Sequence, residues 1–95
     1  MKTFDQIAGK IVKEQEQLIG PVAWQEARKV QNLRIVDQNT GTITIEGMGD
    51  AKTVIDSLVN QYENLFGRAA REVCKEAVIS LIADLRPEEV PTSLR

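Results

Sequence analysis

In DAKTVIDSLVNQYENLFGRAAREVCKEAVISLIADL, residues 50–85, apolar residues recur in pairs one helical turn apart. The pairs are Val54/Ile55, Leu58/Val59, Leu65/Phe66, Ala69/Ala70, Val73/Cys74, Ala77/Val78 and Leu81/Ile82, with Tyr62 alone at its turn. This spacing predicts a long amphipathic helix, or two joined end to end. The pair centres advance by about 3.9 residues per step, against 3.6 per turn of an α-helix, so the apolar stripe rotates by roughly 26° per step. A flat partner cannot follow it. Either the helix bends near Gly67 or neighbouring segments wrap around it.

Length sharpens that alternative. A chain of 95 residues makes one domain with a modest core. Its expected globule is roughly 32 Å across, whereas an unbroken helix over 50–85 would be about 53 Å long. The helix therefore breaks, or it projects and meets a second chain. A projecting apolar stripe is a binding surface, most simply for an identical copy.

Working outward toward the N-terminus, Asp50 is placed to cap the long helix with its carboxylate. Gly47-Met48-Gly49 before it reads as a turn: a third glycine is missing, and a carboxylate stands where a dinucleotide site would hold phosphate. Before that turn the apolar period changes from 3.6 to 2. The runs 33–36 and 42–46, separated by Asp37-Gln38-Asn39-Thr40-Gly41, predict a β-hairpin whose apolar face is Leu33, Ile35, Ile43 and Ile45. An isolated two-stranded hairpin is marginal in water, so it must pack on helices or pair with another strand.

The N-terminal segment returns to helical spacing with Phe4, Ile7/Ala8, Ile11/Val12 and Leu18/Ile19, and Thr3 with Gln6 fits a capping box. A first helix over 3–19 is expected, ended by Gly20-Pro21. A second helix over 21–30 follows, with Val22, Ala23, Ala27 and Val30 inward. Trp24 falls off that stripe and is expected at a core boundary or a subunit contact. The fold class is thus α+β and mainly helical: helix, helix, β-hairpin, long helix bent near Gly67. Residues 1–85 form the single domain. Residues 86–95, with two prolines and little to bury, read as a flexible tail.

Sliding the chain by 47 positions aligns Ile11–Ala27 with Leu58–Cys74. Val12/Val59, Glu16/Glu63, Leu18/Leu65, Gly20/Gly67 and Ala23/Ala70 are identical. The alignment fits a duplicated helix–glycine–helix unit packed about a pseudo-twofold axis. It also fits two helices that each break at a glycine for unrelated reasons. The phrase Leu18-Ile19-Gly20-Pro21-Val22-Ala23 resembles an "IGP-apolar-Ala" phrase of short helical modules attached to bacterial signalling proteins such as kinases and cyclases. That resemblance implies a regulatory or protein-interaction module.

Composition excludes several chemistries. There is no His, which removes the commonest general base and metal ligand, and the one Cys cannot form an intrachain disulfide. One Cys and scattered carboxylates argue against a zinc site, no Ser-His or Cys-His arrangement is possible, and the carboxylates fall mostly on polar helical faces. An enzyme is not expected; catalytic, cofactor and metal residues are none. The net charge of −2 argues against general affinity for nucleic acid or acidic membranes. Arg68, Arg71 and Lys75 share a helical face and are the alternative anion or nucleic-acid contact, supported by Arg28, Lys29 and Arg34, although Glu72 and Glu76 lie among them. No long apolar run or signal-peptide core occurs, so the expected location is cytoplasmic.

The expected function is a small non-enzymatic interaction or regulatory module, self-associating as a homodimer through Tyr62, Leu65, Phe66, Ala69 and Val73. The alternatives are a nucleic-acid-binding protein, and a carrier of a small apolar ligand between the helices. The structural rival to the dimer is a compact monomer in which a break at Gly67 folds the last helix back onto the first.

Overall fold

The computed structural model describes residues 2–46 and 50–95. The expected turn at 47–49 lies outside the described residues. Helix α1 spans Lys2–Ile19 and α2 spans Val22–Ala27; strands β1 (Leu33–Asp37) and β2 (Thr42–Ile45) form the hairpin; α3 (Ala51–Phe66), α4 (Arg68–Ala77) and the single-turn α5 (Ile79–Ile82) follow. Two 3₁₀ turns, Pro87–Glu89 and Thr92–Leu94, end the chain.

Helix α1 buries Phe4, Ile7, Ala8, Ile11 and Val12, the stripe set by its spacing. It begins at Lys2, so Thr3 is inside the helix and cannot cap it. It ends at Gly20, whose φ of 78° lets its N–H reach back to the Glu16 carbonyl at 2.8 Å. Pro21 is the N-cap of α2, which is shorter than expected: beyond Ala27 the backbone tightens into i→i+3 bonds, and Asn32 at φ 65° turns the chain into β1. Because so short a helix packs on both α1 and α3, its off-stripe residue is covered too. Trp24 is only 1% exposed, a core residue rather than a boundary or subunit contact.

The hairpin pairs Leu33 with Ile45, Arg34 with Thr44 and Ile35 with Ile43, then bulges at Val36 before pairing Asp37 with Thr42. The bulge leaves Val36 exposed. Asp37 accepts the Asn39 N–H at 2.9 Å, closing the turn locally. Strand β2 docks on α1: Ile43 is buried, Asp5 accepts the Ile45 N–H at 2.9 Å, and Lys13 Nζ donates to the Asn39 carbonyl at 3.0 Å. Gly9 faces the Gly41 carbonyl so closely that a Cβ there would overlap it, which is why α1 tolerates a glycine at its middle.

Asp50 caps α3 as expected, accepting the Lys52 N–H at 3.1 Å. The long helix breaks at Gly67, with φ 86° and ψ −175°. Helix α4 folds back on α1, the compact alternative to a projecting helix, and much of the stripe is covered within the chain: Val54, Ile55, Leu58, Val59, Tyr62, Ala70, Cys74 and Val78 are buried. The compact arrangement measures 32 × 26 × 21 Å, with a radius of gyration of 11.8 Å. A second break, at Val78 with φ −114° and ψ 10°, separates α4 from α5. No glycine or proline marks it.

The tail is likewise corrected. Residues 86–95 have little apolar content, yet Pro91, Ser93 and Leu94 are buried against α3 and α4. Asp56 on α3 accepts both the Ser93 N–H (2.9 Å) and its hydroxyl (2.6 Å), and Lys52 Nζ donates to the Glu88 carbonyl at 2.6 Å.

Candidate interaction surface

Two adjacent large apolar residues are exposed at the elbow between α3 and α4. Leu65 follows Leu58 by seven residues and Tyr62 by three, so it continues the inward stripe of α3. The packed interior ends before it. Leu65 is 53% and Phe66 41% exposed, Ala69, the second residue of α4, is exposed, and Val73 one turn on is half-buried. Gly67 fixes the backbone between them, its N–H bonded to the Glu63 carbonyl at 2.8 Å.

Tyr62, expected on this surface, is not part of it. Its ring is fully buried and its hydroxyl donates to the Ala23 carbonyl at 2.7 Å. Burial, with the Cys74 thiol and Glu26 carboxylate nearby, pushes its phenol well above the ordinary range. The sequence placed Tyr62 on the right helix face but could not show a hydrogen-bond partner 39 residues away.

The basic residues of the same elbow are largely paired. Arg71 bridges to Glu63 at 3.0 Å and donates to Asn60 Oδ1 at 3.3 Å, and Lys75 lies 3.7 Å from Glu72. Arg68 is exposed at the start of α4. Of the further cations, Lys29 bridges to Glu26 at 3.1 Å, Arg34 approaches Glu46 at 3.6 Å, and Arg28 donates to Gln38 at 3.1 Å. The face is of mixed charge.

Beneath the elbow lies a small polar cluster. Gln15, buried in α1, donates from Nε2 to the Ala70 carbonyl (3.0 Å) and to Cys74 Sγ (3.3 Å). Burial pushes the Cys74 thiol up to about 11, outweighing the Gln15 hydrogen bond and the Arg71 charge that act the other way. A thiol so held packs as a small apolar group. Glu26, nearly buried, accepts from Gln61 Nε2 at 2.7 Å; that bond, then Lys29, holds its carboxyl below the usual carboxylate range.

Other surface features escaped the sequence. Leu18, at the end of α1, is 63% exposed and Ile79, on α5, 66%. Leu18 belongs to the α1 stripe, whose burial ends sooner than its periodicity, whereas Ile79 falls between the pairs Ala77/Val78 and Leu81/Ile82. An open cleft of about 630 Å³ lies between α5 and the tail, lined by Ile82, Pro87, Glu88, Val90, Leu94 and Arg95. It exists only because the tail packs, which no local sequence signal announces. Its guanidinium is engaged by the Val90 and Pro87 carbonyls, both at 3.2 Å. Among the described residues no three His, Cys, Asp or Glu side chains converge as metal ligands, and no helix is long and apolar enough to cross a membrane. No protein-family model matches the chain, and no curated protein or solved structure matches it.

Proposed function

We propose that the chain is a small non-enzymatic interaction or regulatory module that associates with a second copy of itself through the α3–α4 elbow. The observation that carries this reading is the adjacent pair Leu65 and Phe66, 53% and 41% exposed on a backbone held by a positive-φ glycine. With the backbone fixed, docking has only the rotamers of these two side chains to order, and association removes their apolar area from solvent. Ala69 beside them lets a partner approach closely. A non-enzymatic role is supported by the absence of His from the sequence and by the raised, buried Cys74 thiol. The likeness of Leu18–Ala23 to signalling-module phrases supports a regulatory setting, and a lone thiol suits the reducing cytoplasm.

Packing quality and ordering costs, rather than area alone, set the affinity of such a patch, and the reading requires a Kd within the micromolar range. Sedimentation from low to high micromolar concentration tests the reading. The expected result is a mass rising toward two chains, abolished by Leu65→Asp with the helical circular dichroism unchanged. One-chain mass throughout overturns it.

A further inference from the structure

The two helix–glycine–helix segments repeat each other at an offset of 47. Buried positions 7, 8, 11, 12 and 15 of α1 match 54, 55, 58, 59 and 62 of α3 one for one. Gly20 and Gly67 have φ of 78° and 86° and accept from Ala23 and Ala70 N–H at 3.0 and 3.1 Å. Any helix ending at such a glycine shares these local features. They decide nothing alone.

The long-range contacts do decide. Gln15 of the first segment donates to the Ala70 carbonyl of the second, and Tyr62 of the second donates to the Ala23 carbonyl of the first. Residue 62 is the counterpart of 15, and 23 that of 70, so exchanging the segments turns each bond into the other. Unrelated helix breaks have no reason to produce this. An operation that carries the first segment onto the second and the second onto the first is a twofold rotation. The packing obeys it: α1 lies on α4 as α3 lies on α2. Among the described residues, two buried side-chain nitrogens lack a hydrogen-bond partner, Trp24 Nε1 and Arg71 Nε, and they also occupy equivalent positions. Even the appended elements meet the segments alike, since the hairpin docks at Gly9 and the tail at its counterpart, Asp56.

We infer that the chain is an internal duplication whose two helix–glycine–helix units bind each other about a pseudo-twofold axis. The surface around Gln15 and Ala23 thus receives a copy of itself, supplied within the chain as α3 and α4. This stands independently of the proposed self-association. It leaves the elbows free for other molecules: Leu18 is the counterpart of Leu65.

The two polar clasps differ by Gln15 against Tyr62 and by Cys74 against Ala27. Gln15→Tyr with Cys74→Ala converts the first into the second. Equivalence requires the larger ring to be accepted only when position 74 is as small as its counterpart. In thermal unfolding of the full chain, the double variant is expected to melt above Gln15→Tyr alone, although Cys74→Ala by itself lowers the Tm. A double variant melting below Gln15→Tyr, as independent overpacking and cavity effects would give, overturns the inference. If neither variant folds, a solution structure of the unaltered chain decides: superposing 4–27 on 51–74 is expected to need a rotation near 180° that also returns 51–74 to 4–27. Any other rotation overturns it.

Discussion

The titration of two buried residues bears directly on stability. Cys74 has its pKa raised from 9.0 to about 11, chiefly by burial, and the Tyr62 phenol is raised from 10.0 for the same reason. A raised folded-state pKa stabilises the fold fully below the unfolded value, and that stability is lost as pH climbs toward the folded one. For Cys74 the loss runs from about pH 9 to pH 11 and amounts to about 2–3 kcal/mol. Tyr62 adds to it above pH 10, since the unfolded phenol ionises there and the buried one does not. Glu26 acts at the other end: its depressed carboxyl supports the fold above its ordinary value of 4.5, and that support fades as acid protonates it. Urea unfolding at successive pH values is therefore expected to show stability falling from pH 9. In Cys74→Ala the fall is expected to begin a unit later, with the tyrosine alone. An unchanged onset would show that the thiol is not held as its surroundings require.

At the scale of the elements, two glycines do different work. Gly67 has open space where a Cβ would stand, but its φ of 86° with ψ −175° lies in a region reached almost only by glycine. Gly67→Ala is expected to cost about 1–3 kcal/mol of backbone strain. Gly9 has ordinary helical backbone but no room, because the Gly41 carbonyl fills the space. Gly9→Ala is expected to push the hairpin off α1, changing the chemical shifts of residues 33–45 and freeing the Ile45 N–H from Asp5 to exchange. Gly67→Ala leaves those shifts unaltered, so amide spectra separate the two. Both helices bearing these glycines, the hairpin, the Asp50 cap and the break at Gly67 were legible, because period, capping chemistry and glycine are local signals. The short α2, buried Trp24 and the break at Val78 were not. Their causes are distant: α2 lies across two helices, and no breaker marks Val78. The surface was legible in the same measure. Leu65, Phe66 and Ala69 announced themselves as apolar excess, while Tyr62 shared their stripe but is held inside by Ala23.

For the molecule as a whole, the decisive event is the return of α4 onto α1, after which the tail closes the core beside α3. The tail's last residues have no periodicity, and their burial depends on Asp56, 37 positions before Ser93, so nothing near them in sequence foretells it. The Asp56 carboxylate takes two hydrogen bonds from Ser93, and this clasp turns Leu94 inward to 2% exposure. If the tail were loose, Leu94→Ala would be nearly neutral, as surface truncations are. In the packed arrangement the same truncation removes a fully buried side chain and leaves a cavity, with an expected cost of about 2–5 kcal/mol. That is a large share of the roughly 5–15 kcal/mol by which a domain of this size is stable. Urea unfolding of Leu94→Ala beside Val36→Ala provides the comparison, since Val36 is 56% exposed at the hairpin bulge and its loss is expected to change stability by under about 0.5 kcal/mol. Equal and small effects from the two substitutions would contradict a packed tail. A midpoint shift confined to Leu94→Ala, with the denaturant slope unchanged, would place residues 92–94 within the cooperative core.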